Sequence, residues 1–423
     1  MRSGRITPGA PASGWSHDTN FIQVAVRFLN PNAFLSTLAA IWWTSSVAVL
    51  LLSFAASLFH PLRSRRKNDN DCAPVTAIVP VKTLHPEFAE AQRSLFAQAY
   101  PGLEVIISAA ESDSPAIRAA RTIQAEFPQI TSRFVRSHCE LAASPKLNTL
   151  WPAICDARSD IILTKDSNLC LEPGELSGLV CHLGSDTGLV STISIATEPA
   201  SFPAWIEASI INCYHARVLM LADAAGLGFG LGKIMLFRRS DLMRAGGLDR
   251  LAWALGEDMA LAQMMTSVGL RTVLADRVSR QPLGTRSFSD FWQRQLRWMI
   301  VWRVQLPAAF FGDIMGSAFP TAVAGALAAK SFGFGPAAVG AGTFAIWFAL
   351  ESCLCAARGW PLSPWSLPAF LAREILTPVL WLRALTTRNV VWAGAPCRAG
   401  RKPQSAGPAS AAIDRRAMRG SNR

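Results

Sequence analysis

The chain has 423 residues, half of them hydrophobic, with a positive mean hydropathy and a formal net charge of +12. A basic excess of this size suits nucleic acid, an anionic membrane surface or phosphorylated ligands. The long uncharged apolar runs argue against a nucleic-acid binder and leave membrane plus phosphate. The nine cysteines, at positions 72, 139, 155, 170, 181, 213, 353, 355 and 397, form no C-x-x-C pair and no zinc spacing. They are expected to be reduced thiols facing the cytosol.

Residues 1–33 are polar and bear Gly and Pro, the composition of a flexible segment. Residues 34–59 carry no charge over 26 positions, enough to span a bilayer with some tilt, and predict a transmembrane anchor. The run lies too far from the start, and lacks the small-residue cleavage site, to be a secretory signal. Arg63, Arg65, Arg66 and Lys67 follow it. The positive-inside rule then places its exit in the cytoplasm, and with it the next domain, residues 74–306.

Within that domain "VTAIVPVK", "LEVIISAA", "SDIILTKD" and "GLVSTIS" are short Val/Ile-rich runs ending in turn or polar residues. Amphipathic stretches such as "EFAEAQRSLFAQAY" and "SPAIRAARTIQAEF" lie between them. The alternation predicts an α/β domain with a mostly parallel central sheet flanked by helices. In such sheets ligands bind beyond the carboxyl ends of the strands. Residues 307–384 are expected to be membrane segments. The stretches 314–329 and 331–350 read as a spanning hairpin, whereas 359–382 holds Arg373 and Glu374 and reads as re-entrant or interfacial, because a charged pair in lipid is costly. Residues 385–423 form a basic tail, expected to be disordered and cytosolic.

The strand ends carry acids in order. "ESDSP" holds Glu111 and Asp113, "DSN" holds Asp166, and "LGEDMALAQMM" puts Glu257 and Asp258 at the start of a helical pattern. "FWQRQLRWMIVWRVQLP" (291–307) then gathers three arginines and three tryptophans; Arg294, Arg297 and Trp298 fall at i, i+3 and i+4 and share one helical face. Each feature alone has a plainer reading: a helix N-cap, acids favoured by the helix dipole, or an interfacial anchor. Their order and spacing together are far more specific.

Together these stretches resemble nucleotide-sugar glycosyltransferases of the GT-A fold, and within them the ceramide glucosyltransferases of glycosyltransferase family 21 with their bacterial, hopanoid-associated relatives. The likeness is carried by "PVK" (80–82), "QAYPGLEVIISAAESDSPAI" (98–117), "SPKLNTL" (144–150), "DSN" (166–168), "FRRSDLMRAGGL" (237–248), "GEDMA" (256–260) and "RQLRW" (294–298). It departs from the family pattern at Ser114, where an aspartate usually precedes the proline, and at Asn168, where bacterial relatives often complete a D-x-D.

The resemblance implies a membrane-bound inverting transferase that moves a hexose from a UDP-sugar donor to a lipid alcohol, UDP-glucose to ceramide first among the choices. It implies no nucleic-acid partner and a bacterial inner membrane with the catalytic domain facing the cytoplasm. Asp258 is the implied catalytic base. Arg294 and Arg297 are the implied diphosphate clamp, Trp298 fixes their helix, and Glu111 and Asp113 lie near the nucleoside. Asp166 is the expected ligand of a divalent cation, Mg²⁺ or Mn²⁺, or a ribose-side contact of the donor. Lys146 is a nucleotide contact or a surface cation, and His215, in "CYHARV", matches a family histidine. A hopanoid or other lipid acceptor, and a degenerate relative that binds without catalysis, remain alternatives. A transporter is disfavoured, since the apolar segments are few and hold no obvious pathway of paired charges.

Overall fold

The computed structural model describes residues 31–60, 73–137, 139–392 and 395–398. The expectations for residues 1–30, for the cations at 63–67 and for 399–423 lie outside the described residues.

The first helix, α1 (Pro31–Phe59), coincides with the predicted anchor. The catalytic-domain order is then β1 (Val75–Pro80), α2 (Phe88–Phe96), β2 (Leu103–Ala109), α3 (Pro115–Glu126), β3 (Thr131–Arg136), α4 (Pro145–Asp156) and β4 (Ile161–Lys165). There follow α5 (Glu175–Cys181), β5 (Thr187–Ser191), β6 (Ser194–Pro199), α6 (Phe202–Ser209), a π-helical turn (Ile210–Ala216), α7 (Arg217–Ala224) and β7 (Ile234–Arg238). The domain closes with α8 (Arg239–Arg244), α9 (Gly247–Leu251), α10 (Glu257–Ser267), β8 (Arg271–Leu274), β9 (Ser279–Gly284) and α11 (Phe288–Gln305).

The main sheet runs β3-β2-β1-β4-β7-β5-β8. All its pairs are parallel except those of β7, which is antiparallel to β4 and β5. Burial on both faces explains why these strands read as unbroken apolar runs. Val75, Ala77 and Val79 of β1 point into one core, with α2, α3 and α5. Ile78 points into the other, with Trp151 of α4 and Leu242 of α8. Chain order reverses between β1 and β4, and this opens a crevice at their carboxyl ends. Ser-Pro steps start two of the flanking helices. Ser114 caps α3 by accepting from Ile117 N at 3.3 Å, and Ser144 caps α4 by accepting from Leu147 N at 3.3 Å, each with proline at the first helical position. The serine that departs from the family pattern therefore has a structural function.

After the domain come α12 (Pro307–Gly312), a 3₁₀ turn, α13 (Ala318–Ala329), a second 3₁₀ turn, α14 (Pro336–Arg358), α15 (Ser366–Thr386) and the hairpin β10 (Asn389–Trp392)–β11 (Ala395–Arg398). Among the described residues α1 and α14 are long and apolar enough to cross a membrane. The first arm of the expected hairpin is bent, a broken span or a re-entrant loop, and its second arm is α14. The stretch after Pro307 bends by 65° between 307–316 and 318–332, and α13 with 12 residues is about 18 Å long, short of a bilayer core of about 30 Å. Small residues let α13 pack closely on α1; a side chain at Gly325 would stand 2.7 Å from the Trp43 ring. Trp43 Nε1 also donates to Thr343 Oγ1 of α14 at 3.0 Å.

Helix α15 explains Arg373 and Glu374. Both are buried on the face turned to the rest of the protein. Arg373 pairs with Glu351 at 2.8 Å and Glu374 at 2.7 Å, while Glu374 accepts from Ser317 Oγ and Phe319 N. The opposite face exposes Leu367, Leu371, Ile375, Val379 and Leu382, spaced at helical intervals. The charges avoid lipid because they face protein.

Candidate active site

The crevice at the carboxyl ends of the strands is lined by Lys82 and His85 after β1, Lys146, Asp166 and Asn168, the 231–233 segment, and Glu257 and Asp258. Glu207, His215, Arg286, Arg294, Arg297, Trp298 and Trp302 complete its wall. The structure thus brings together Lys146, Asp166, His215, Asp258, Arg294, Arg297 and Trp298. It does not bring Glu111 and Asp113 into this lining: both are exposed just past β2, and Asp113 pairs with Arg118 at 2.9 Å.

Asp258 sits on the first turn of α10. Its Oδ2 accepts from Gly232 N at 2.8 Å and its Oδ1 from Met259 N at 2.9 Å. Burial, and next the charge of Glu257, push its carboxyl up to about 6. Two neighbours hold this position. The chain 226–233 passes so closely that a Cβ at Gly230 would stand 2.0 Å from Asp258 O. On the other side, Gln305 from the end of α11 grips Gly256, with Oε1 accepting from Gly256 N at 3.1 Å and Nε2 donating to Gly256 O at 2.9 Å. The "GED" turn and the arginine helix are therefore tied together by these two hydrogen bonds.

Asp166 follows β4 and is held by its own N–H donating to Lys233 O at 2.9 Å. Its Oδ1 lies 2.7 Å from Lys146 Nζ, which also reaches Glu257 Oε1 at 3.2 Å and bonds to Gly232 O. Lys146 is consequently not a surface cation. Burial opposes its charge, but Asp166 and Glu257 outweigh burial and hold its pKa above the usual lysine range.

On α11, started by the Ser287 cap that accepts from Asp290 N at 3.1 Å, Arg294 stands 5.5 Å from the Trp298 ring, and Lys233, just before β7, stands at the same distance from it. Arg294 Nε also faces the fully buried carboxylate of Glu207 at 3.3 Å. Burial, then the charge of Arg294, lower Arg297 to about 10, and burial with Arg294 lowers Lys233 to about 7. Such crowding of cations is electrostatically unfavourable until an anion enters. His215 packs its ring on Trp302 at 4.9 Å and Trp298 at 5.8 Å; burial, then Lys233, lower it to about 3, so it is a neutral aromatic wall.

Trp302 and Arg303 of the same helix, α11, both have protein partners. Trp302 lines the crevice against His215, and Arg303 donates to Leu385 O at 2.5 Å and Thr387 O at 2.8 Å, closing the end of α15. Sequence reasoning missed Glu207, Lys233 and Arg286. The alternate glycines of "GLGFGLGK" were the available signal for the Lys233 segment.

The sequence comparison identifies the family. The profile of "Glycosyl transferase family 21" matches residues 41–404. The chain belongs to glycosyl transferase family 21. Ceramide glucosyltransferase 1 of Caenorhabditis elegans is 22% identical over 253 residues, covering 59% of this chain and 54% of that protein. Ceramide glucosyltransferase 3 of the same organism is 20% identical over 359 residues, covering 82% and 76%. The chain thus matches about half the length of the first of these relatives. Among solved structures, a mannosyltransferase from Pyrobaculum calidifontis in complex with GDP-Man and Mn²⁺ superposes with a TM-score of 0.51 at 17% identity, over 83% of this chain and 99% of that one. The family 21 chain is a glycosyltransferase with the GT-A architecture: a mixed, mostly parallel sheet flanked by helices, joined to two helices able to cross a membrane.

Proposed function

We propose that this family 21 enzyme is membrane-bound and transfers a hexose, with inversion, from a UDP-sugar to a lipid alcohol, most simply glucose from UDP-glucose to ceramide. The observation that carries the proposal is the pairing, in one crevice, of a carboxylate of raised pKa with an arginine face. Departure of a nucleoside diphosphate leaves negative charge on its oxygens, and guanidinium forks match those oxygens in pairs. Arg294 and Arg297 take that role, with Trp298 fixing their helix. The incoming alcohol attacks the anomeric carbon from the side opposite the leaving group, and Asp258 accepts its proton. A single displacement inverts the centre. Glu111 and Asp113, at the exposed end of β2, are left for the nucleoside side.

The lipid nature of the acceptor is supported by α1 and α14 and by the exposed apolar stripe of α15, which suits the plane of a bilayer surface. Expression in a bacterium lacking glycosphingolipids, followed by lipid analysis, tests the reading. A new monohexosyl ceramide is expected when ceramide is supplied; a hexose on a different lipid would redirect the acceptor, and no glycolipid at all would refute the activity.

Asp166 fits a divalent cation as one carboxylate that lines the crevice and keeps 30% of its side chain exposed, supplemented by phosphate oxygens of the donor. No group of three metal-ligating acids, histidines or cysteines occurs among the described residues. A bound Mg²⁺ or Mn²⁺ would add positive charge beside the departing diphosphate. Asn168→Asp restores a second carboxylate, and we expect the metal concentration for half-maximal activity after chelation to fall. The same metal response in both proteins would show that residue 168 does not touch the ion.

A further inference from the structure

Arg286 lies outside the arginine–tryptophan box, yet it lines the same crevice. The small parallel pair β6–β9 delivers it there. Ala200 N donates to Gly284 O at 2.9 Å, extending the pairing beyond the strands. Just past it the hydroxyl of Ser201 accepts from Arg286 N and donates to Arg286 O, both at 2.9 Å, so the backbone is held on two sides.

The guanidinium reaches the buried Glu207, with Nε 3.9 Å from Oε2, while Arg294 takes the other oxygen. One carboxylate therefore lies between two guanidinium groups. Nε and Nη2 of Arg286, Nε of Arg294 and both oxygens of Glu207 are buried without hydrogen bonds. His85, also in the lining, feels the charge of both arginines. Buried donors normally find acceptors, and two guanidinium forks around one counter-charge suit an anion rich in oxygens.

We propose that Arg286 is a third arm of the diphosphate clamp, contacting donor phosphate oxygens beside Arg294, with Glu207 as the buried counter-charge between them. This rests on the reading of the crevice as a nucleotide-sugar site. The test uses the full chain in detergent and measures UDP affinity by calorimetry for the parent, Arg286→Gln and Arg286→Lys, with thermal unfolding as the check on folding. We expect Arg286→Gln to weaken UDP binding by tenfold or more and Arg286→Lys by several-fold, since charge without the fork recovers only part. If Arg286→Gln does not fold, Arg286→Lys decides. Folded variants that bind UDP like the parent overturn this assignment alone. A parent that binds no UDP overturns the donor reading and this assignment with it.

Discussion

Asp258→Asn is expected to lower turnover by about 10²–10⁴-fold while sugar-nucleotide binding survives. The substitution keeps the size of the side chain and its acceptor oxygen, so one of the two backbone N–H groups that hold it, from Gly232 and Met259, stays satisfied. What it removes is the proton acceptor. The pH profile carries the same signature. A base whose pKa is raised to about 6 by burial and Glu257 is protonated as pH falls through that value, so turnover should decline there rather than near the usual carboxylate range of about 4. The acid limb should vanish in Asp258→Asn. Near-normal turnover in the variant would remove Asp258 from the role of base.

Arg297→Lys is expected to lose roughly 2–3 kcal/mol of transition-state stabilisation, a 30- to 150-fold drop in kcat/KM by about 1.4 kcal/mol per tenfold. Lysine retains a charge but not the paired donors that match phosphate oxygens. The surroundings sharpen the test: Arg297 is crowded by Arg294 and partly desolvated, so its charge is most favourable when the diphosphate is present. If Arg297→Lys equals the parent while Arg297→Ala is inactive, a point charge suffices and the bidentate picture is wrong.

Both residues were legible in the sequence because local chemistry placed them. Asp258 stands at a helix start, Asp166 ends an apolar strand, and Arg294, Arg297 and Trp298 recur at helical spacing. The strands of the sheet were legible for the same reason, since burial on both faces leaves unbroken apolar runs such as "LEVIISA". Residues placed by long-range packing were not. Glu207 is a single acid in the apolar helix "FPAWIEAS", and nothing local says that it meets two arginines about 80 residues later. Arg286 follows β9, which pairs with β6, so its place depends on a pairing across 85 residues.

Hydrophobic patterning does not distinguish a lipid partner from a protein one, so the partners of Trp302, Arg303, Arg373 and Glu374 were not legible. In the fold, His215, the end of α15 and the carboxylate of Glu351 are those partners. Ser114, a departure from the family pattern, caps α3. Its presence therefore says little against catalysis, while Asp258 and the arginine face share one crevice.

The anomeric configuration of the product bears on the whole scheme at once. Purified enzyme given α-linked UDP-glucose and ceramide in mixed micelles should release a glucolipid whose anomeric proton, read by NMR, has the β configuration. An α-linked product would contradict a single displacement assisted by Asp258, because retention requires a different arrangement of groups around the anomeric carbon.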